Sequence, residues 1–230
     1  MIYYAIDYRM DKRIVESLIK LGCQPIFVDS NPLFDDAVSA HPDMNILQVK
    51  DRVFKTTNVR LDCGELVSEK EKIGERLRYP QDVFLNAVCI GDDFICKKDS
   101  VLTKALEYAT SCGMNVINVN QGYVKCNIVP VCEKNKAIIT EDKGIAKVLC
   151  EKGYDVLMLQ NLSVGLDPYK NGFIGGASGV IGYKIVFTGK ISEHPEYSEI
   201  CSFCEKYNKS VVELGNIPLY DYGSILKIEI

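Results

Sequence analysis

The feature that most constrains the fold is a unit that recurs five times: an amphipathic helix, a short strand, a polar turn and a second strand. Five segments space their apolar residues as helices packed on one side do. They are residues 11–21, 69–77, 100–113 with Ser100 as the predicted N-cap, 145–153 and 197–207. Such self-similarity along a chain is typical of propellers and other repeat arrays. The pattern therefore predicts one α/β domain built from five units.

Strand-like runs follow each predicted helix, and a polar segment separates the two runs of a unit. The runs directly after the helices are 25–28, 82–85, 115–119, 155–159 and 210–214, and later runs are 93–96, 136–140, 184–188 and 225–228. The polar segments are 41–45, 86–90, 125–129, 172–179 and 219–222. Residues 1–7 and 225–230 look like strands of one type, and only the first precedes a helix. The two ends are therefore predicted to complete one unit of a closed ring, which makes residues 1–230 a single domain.

Charge and cysteine content exclude several classes of protein. A net charge of −4 with dispersed basic residues argues against binding to nucleic acid or to an anionic membrane. The absence of any apolar stretch of membrane-spanning length argues against a transmembrane helix. Residues 1–7 lack the features of a signal peptide, and ten cysteines without an export signal indicate a reducing, cytoplasmic compartment. The oligomeric state is left open.

Residues 172–179 contain four glycines, which indicates a sharp turn or a close backbone approach. A phosphate-binding loop would have to open a helix. The residues that follow are β-like, so the glycines predict a tight inner turn at which Ser178 is a candidate ligand-binding residue. Cys201 and Cys204 form a C-x-x-C motif inside a helical pattern, which favours core packing over redox or metal chemistry. No metal and no cofactor are predicted.

His41 and Asp43 form the strongest single site signal, because an imidazole near a carboxylate can act as an acid/base pair. Pro42 favours an extended conformation at His41, and in an extended segment the two side chains point to the same side. The alternative is a structural turn held by hydrogen bonds. Asp221 and Asn86 occupy comparable polar segments of other units, where they either line the same centre or satisfy turn backbone.

Cys126 lies between Lys125 and Asn127, where a neighbouring cation could lower the pKa of its thiol. It is the candidate nucleophile, and Asn127 is a candidate ligand-binding residue. The alternative is that Cys126 is a small residue filling a narrow space.

Several stretches resemble a known family: residues 41–44, 85–87, 121–126, 138–145 and 172–179. They are similar to those of an uncharacterised bacterial family, common in clostridia, with the pentein or guanidino-group-modifying-enzyme fold. That fold is a five-bladed α/β propeller. It is shared by arginine and agmatine deiminases, dimethylarginine hydrolases, amidinotransferases and the non-catalytic, ribosome-associated translation initiation factor 6. In its catalytic members a central Cys attacks the guanidinium carbon, a His shuttles protons and carboxylates hold the guanidinium.

The chain departs from this pattern because the nucleophile of catalytic penteins lies in the last blade, and residues 215–223 contain no Cys. Two hypotheses follow. In the first, the protein binds a small guanidino or amino-acid-like ligand in a central pocket without catalysis. In the second, it is a divergent guanidino-modifying hydrolase that uses Cys126 as nucleophile and His41 as acid/base, together with Asp43 and Asp221.

Overall fold

In the described part of the chain, fifteen strands arranged in five three-stranded sheets form the framework. The computed structural model describes residues 1–62, 64–66 and 76–230. The strands are β1 (Ile2–Asp7), β2 (Pro25–Val28), β3 (Ile46–Val49), β4 (Arg52–Lys55), β5 (Glu65–Leu66), β6 (Val88–Ile90), β7 (Asp93–Cys96), β8 (Asn115–Asn118), β9 (Ile128–Cys132), β10 (Ala137–Thr140), β11 (Asp155–Met158), β12 (Ser178–Ile181), β13 (Lys184–Phe187), β14 (Ser210–Glu213) and β15 (Leu226–Glu229). The helices are α1 (Lys12–Lys20), α2 (Pro42–Asn45), α3 (Thr103–Ser111), α4 (Val124–Asn127), α5 (Lys143–Glu151) and α6 (Tyr197–Lys206).

All five sheets have the same topology. A first strand pairs antiparallel with the middle strand, and the middle strand pairs parallel with the third, as in β6–β7–β8 and β12–β13–β14. A parallel pair requires a crossover connection, and four of the sheets use α1, α3, α5 or α6 for it. In the sheet β3–β4–β5 the connection between the parallel strands runs over residues 56–64, whereas the helix predicted over residues 69–77 comes after β5 and lies largely outside the described residues.

The two ends of the chain meet in one sheet, as the sequence predicted. Ala5 of the middle strand β1 lies opposite Leu226 of β15 on one side and Ile26 of β2 on the other. The strand β15 takes the place of a first strand, equivalent to β3, β6, β9 and β12. The sequence correctly predicted that β15 and β1 lie in the same sheet. The prediction that the two strands are of one type was wrong.

The longer helices form where the apolar spacing predicted them. In α1 the carboxylate of Asp11 caps the N-terminus by accepting a hydrogen bond from the Arg13 N–H, and Ile14 and Leu18 are fully buried. The helix α3 begins later than predicted, at Thr103. Ser100 is not its N-cap. In α6 Cys204 is fully buried among apolar neighbours whereas Cys201 is partly exposed, so the predicted core packing is confirmed for Cys204 alone.

Two short segments have a conformation different from the one predicted. Residues 82–85 are not a strand: a 3₁₀ turn spans Gln81–Val83, and Phe84 and Leu85 are buried against Phe34 and Phe94. A short apolar run does not by itself distinguish a strand from another buried segment. His41 is extended, but Pro42 begins the single turn α2, because its fixed φ suits the first helical position.

A cavity of about 780 Å³ lies between the first strands of the five sheets, and each of them contributes to its lining. Neighbouring first strands are in contact, as in the pairs β3–β6, β9–β12 and β12–β15. Gln48 of β3 also exchanges hydrogen bonds with the backbone of Glu229 in β15. Among the described residues, no helix is long and apolar enough to cross a lipid bilayer.

Candidate functional site

The five segments that precede the first strands meet at one place and are joined by a closed circle of hydrogen bonds. Asn86 donates to the Asp43 carbonyl (3.2 Å) and accepts from the Lys125 N–H (2.7 Å). Gly176 N–H donates to the Cys126 carbonyl (2.9 Å), and Ser224 N–H donates to the Gly176 carbonyl (2.7 Å). The circle closes where Asp43 N–H donates to the Gly223 carbonyl (3.1 Å). Polar segments far apart in sequence are thereby fixed around a common centre.

Two glycines allow these segments to approach so closely. A Cβ atom on Gly176 would overlap the carboxylate of Asp221, and one on Gly223 would overlap His41. Gly223 also has a φ of +73°, a conformation that other residues adopt at a cost. Residues 172–177 form the turn that leads directly into β12 rather than into a helix.

Cys126 is buried in contact with Asp43 and Asn86. Its thiol donates to Asp43 Oδ2 (Sγ to Oδ2 3.2 Å), and Asn86 Nδ2 donates to Sγ (3.0 Å). Burial and the nearby carboxylates raise the pKa of Cys126 well above its ordinary value. The expectation that Lys125 lowers this pKa was wrong, since the carboxylate of Asp43 contacts the sulfur whereas the amine of Lys125 binds elsewhere.

Lys125 reaches Asp43 through Ser224. The amine Nζ donates to Ser224 Oγ (3.0 Å), which lies 2.8 Å from Asp43 Oδ2. Burial lowers the pKa of Lys125 and raises the pKa of Asp43, so desolvation favours the uncharged form of both groups. The second oxygen of Asp43, Oδ1, is buried and has no hydrogen-bond partner among the described residues.

The carboxylate that approaches the imidazole of His41 belongs to Asp221, with 3.7 Å between Nδ1 and Oδ1. The single turn α2 directs Asp43 towards Cys126 and Ser224, so the pairing of His41 with Asp43 expected for an extended segment does not form. Burial, and secondarily Arg9, lower the pKa of His41 to about 3, which keeps the imidazole neutral. Asp221 accepts hydrogen bonds from the Phe173 and Gly223 N–H groups, and burial beside Asp43 raises its pKa to about 7.

Glu141 is a member of this cluster that the sequence reasoning missed. Its Oε2 accepts from the Ile174 N–H (2.9 Å), its buried Oε1 has no partner among the described residues, and burial raises its pKa to about 7. The available signal was its place directly after β10 in a polar T-E-D sequence. Ser224 and the amine of Lys125 were also missed, because their roles depend on contacts between distant segments.

Asn127 and Ser178 lie at the same junctions but bind the backbone of their own turns. Asn127 Nδ2 donates to the Tyr123 carbonyl (2.8 Å), and Ser178 Oγ donates to the Gly175 carbonyl (3.0 Å). In the part of the chain that the structure describes, no group of three or more His, Cys, Asp or Glu residues could hold a metal ion.

The fold defines a class of proteins with known structures. A cysteine-to-serine variant of dimethylarginine dimethylaminohydrolase from Pseudomonas aeruginosa, in complex with citrulline, superposes with a TM-score of 0.52 at 8% identity, covering 92% of this chain and 90% of that one. A cysteine-to-serine variant of the C. jejuni agmatine deiminase, with substrate bound, gives a TM-score of 0.51 at 10% identity, covering 93% and 90%. At these identities the likeness shows a common fold: the mixed α/β fold of the penteins.

Within this class the chain belongs to a family of unknown function, DUF6873, which it matches over residues 5–226. Among curated proteins, none matches the sequence.

Proposed function

We propose that the protein binds a small organic cation, of guanidino or amino-acid-like type, at the cluster of Asp43, Asp221 and Glu141, without catalysing a reaction on it. The observation that carries this proposal is that Asp43 and Glu141 each keep a buried carboxylate oxygen with no hydrogen-bond partner in the part of the chain that the structure describes. Buried polar atoms are nearly always hydrogen-bonded in folded proteins, so such oxygens mark where a ligand donates.

The three carboxylates lie close together around one turn. The consecutive N–H groups of Phe173 and Ile174 donate to Asp221 and Glu141 respectively, and the charges of Asp43 and Glu141 both raise the pKa of Asp221. Lys125 is the basic residue connected to this cluster, through Ser224, and burial favours its neutral form. An added cation with planar N–H donors would satisfy the free oxygens and offset the remaining charge, as guanidinium groups do with carboxylates.

Two solved structures of the same fold support a ligand of guanidino or amino-acid-like type. One similar structure holds citrulline and another holds the substrate of agmatine deiminase. The absence of a Cys in residues 215–223 and the protonated thiol of Cys126 favour binding over catalysis.

Calorimetric titration with agmatine, arginine and methylated arginines tests the proposal. Asp221→Asn and Glu141→Gln should each weaken binding by about 10- to 100-fold, the loss of a hydrogen bond to a charged group. Affinity should rise between pH 6 and 8, because Asp221 and Glu141, each with a pKa of about 7, become ionised in that range. Asp92→Asn is the matched control, since that carboxylate is 83% exposed. No binding by any of these compounds, or equal losses in the control, would contradict the proposal.

The second candidate function is hydrolysis of a guanidino compound with Cys126 as nucleophile and His41 as acid/base. It is favoured by the contact between Cys126 and Asp43, which brings a thiol and a carboxylate into the same buried cluster. Release of ammonia, amine or a ureido product from these compounds, lost in both Cys126→Ala and His41→Ala, would establish it. Absence of turnover together with failure of a haloacetamidine to alkylate Cys126 selectively would exclude it.

We also propose that the five sheets are the blades of a five-bladed α/β propeller, so that residues 1–230 form a single domain. The identical topology of the sheets, the sharing of one sheet by both chain ends and the cavity lined by all five first strands support this arrangement. In it, Asn86, Asn127 and Ser178 stand at the hub and position the ligand-binding carboxylates by holding their turns.

A further inference from the structure

The cavity between the first strands has Lys125 in its wall and lies beside the carboxylate cluster without being part of it. Lys125 is buried, and the one hydrogen-bond partner of its amine among the described residues is Ser224 Oγ at 3.0 Å. An ammonium has three N–H donors, and burial with a single acceptor is unfavourable for the charged form. The surroundings therefore favour a neutral amine, which has a free lone pair.

We propose that this cavity is a second ligand site, in which Lys125 forms an imine with the carbonyl group of a small aldehyde or ketone. The two proposed sites share Asp43, whose carboxylate accepts from the cation in one and whose protonated form is the acid in the other. The position of Lys125 in the cavity wall, the single hydrogen bond of its amine and the acid placed behind it support the imine site.

The lining suits an uncharged, partly apolar ligand. Apolar side chains of Ile46, Val88, Val131, Val180 and Ile225 contribute to the wall. Of the other charged residues of the lining, Glu133 has no amine, Lys50 pairs with Asp92 at 2.8 Å, and Lys227 pairs with Glu229. Lys209 binds the Gly182 carbonyl at 2.9 Å. Among the four lysines of the lining, Lys125 is the one whose amine binds a hydroxyl group rather than a carboxylate or a carbonyl oxygen.

Ser224 and Asp43 supply the proton that imine formation requires. The nitrogen of Lys125 attacks the carbonyl carbon, and one amine proton passes to the oxygen, which gives a neutral carbinolamine. The proton of Asp43, whose pKa is raised by burial, then passes through the hydroxyl of Ser224 to the carbinolamine oxygen. The carbon–oxygen bond breaks, water leaves, and the nitrogen lone pair completes a protonated imine. The products are a cation on Lys125 and a carboxylate on Asp43, joined through Ser224.

This arrangement accounts for burial of an amine and an acid that both remain uncharged. A pair of neutral groups avoids the desolvation cost of two charges until a carbonyl compound enters. Lysines activated by desolvation are the ones that form imines with carbonyl ligands.

Reductive alkylation of the intact protein tests the proposal. The protein is treated at pH 7 with propanal and sodium cyanoborohydride, which reduces imines to stable propylamines, and peptide mass spectrometry gives the rate at each lysine. Lys12 and Lys20 are the internal references, because both side chains are exposed to solvent and accessible to the reagents. Lys125 should react at least about tenfold faster, because each unit of lowered pKa raises the neutral fraction tenfold.

Two variants test whether the labelling rate of Lys125 depends on proton transfer through Ser224 or on the amine of Lys125 alone. Ser224→Ala keeps Lys125 but removes the proton path, so labelling at Lys125 should slow while labelling at Lys12 is unchanged. Lys50→Met removes another lysine of the cavity lining and should leave labelling at Lys125 unchanged. Circular dichroism confirms that each variant is folded. Labelling of Lys125 in the wild-type protein at or below the rate of Lys12 and Lys20 would overturn the proposal, and so would equal rates in wild type and Ser224→Ala.

Discussion

Asp221 is a buried carboxylate whose protonation is coupled to folding. Its pKa is raised to about 7 by burial beside Asp43, whereas in the unfolded chain it returns to an ordinary Asp value. The folded state therefore holds this proton more tightly. The stability that Asp221 contributes is fully present below the pKa that this residue has in the unfolded chain. It is lost as the pH rises through about 7, the pKa of Asp221 in the folded protein.

Comparison of the wild type with Asp221→Asn isolates this effect. The difference between their free energies of unfolding should shift in favour of the variant between pH 4 and 7, by a few times the ~1.4 kcal/mol that each unit of pKa shift represents. Urea denaturation at several pH values measures it. Asp92→Asn, which changes an exposed carboxylate, should give a difference that does not vary with pH. A flat difference for Asp221→Asn would mean that its pKa is not raised.

Cys126 should be the slowest of the compared thiols to react. Burial and the nearby carboxylates raise its pKa, whereas Cys112 and Cys150 are exposed. Iodoacetamide at pH 8 should therefore alkylate Cys112 and Cys150 first, and Cys126 only after addition of urea. Peptide mass spectrometry over time gives the order. Rapid alkylation of Cys126 in the folded protein would indicate a thiolate and would favour the hydrolase hypothesis.

At the scale of single elements, the helix α5 depends on the carboxylate of Asp142. The Oδ1 atom of Asp142 accepts a hydrogen bond from the Ile145 N–H at 2.7 Å, which satisfies one of the free donors at the start of the helix. Asp142→Ala should lower the free energy of unfolding by about 1 kcal/mol, and Asp142→Asn, which can still cap, should cost much less. Thermal and urea denaturation of the three proteins measure the two losses. Equal losses in the two variants would show that the carboxylate charge, rather than the cap, stabilises the helix.

Local patterns predicted the elements whose stability comes from one apolar face. The predicted helices at 11–21 and 197–207 correspond to α1 and α6 because apolar spacing, and for α1 also the glycine at position 22, are properties of the local sequence. The single turns α2 and α4 were not predicted, since one turn is too short to have a periodicity. Their conformation is fixed by contacts with other segments, such as the hydrogen bond from Asp43 N–H to Gly223.

The candidate site was predictable as a set of segments but not as a set of contacts. The prediction that polar segments of the five units lie around one centre grouped five residues: His41, Asp43, Asn86, Cys126 and Asp221. Which of them pair depends on side-chain directions that the tertiary structure sets. The amine of Lys125 illustrates this, because it points to Ser224, nearly a hundred residues away in sequence.

At the scale of the whole molecule, the sheet shared by both chain ends should hold the framework together. Ile228 of β15 is fully buried against residues of two sheets, including Ala5 and Val28 of the first and Ile46 of the second. Ile228→Ala removes these contacts and leaves a cavity, so it should lower the free energy of unfolding by about 3 kcal/mol. Ile230→Ala, at a side chain that is 51% exposed, is the matched control and should change it by less than about 0.5 kcal/mol.

The shape of the unfolding transition of Ile228→Ala then tests the ring. If the five sheets form one closed domain, loosening the shared sheet destabilises all of them equally. Far-ultraviolet circular dichroism, tyrosine fluorescence and alkylation of Cys126, which lies directly before β9 of another sheet, should then report one transition at the same urea concentration. Loss of the first sheet at low urea, with Cys126 still protected, would show instead that the sheets unfold independently and that the chain ends do not close a cooperative ring.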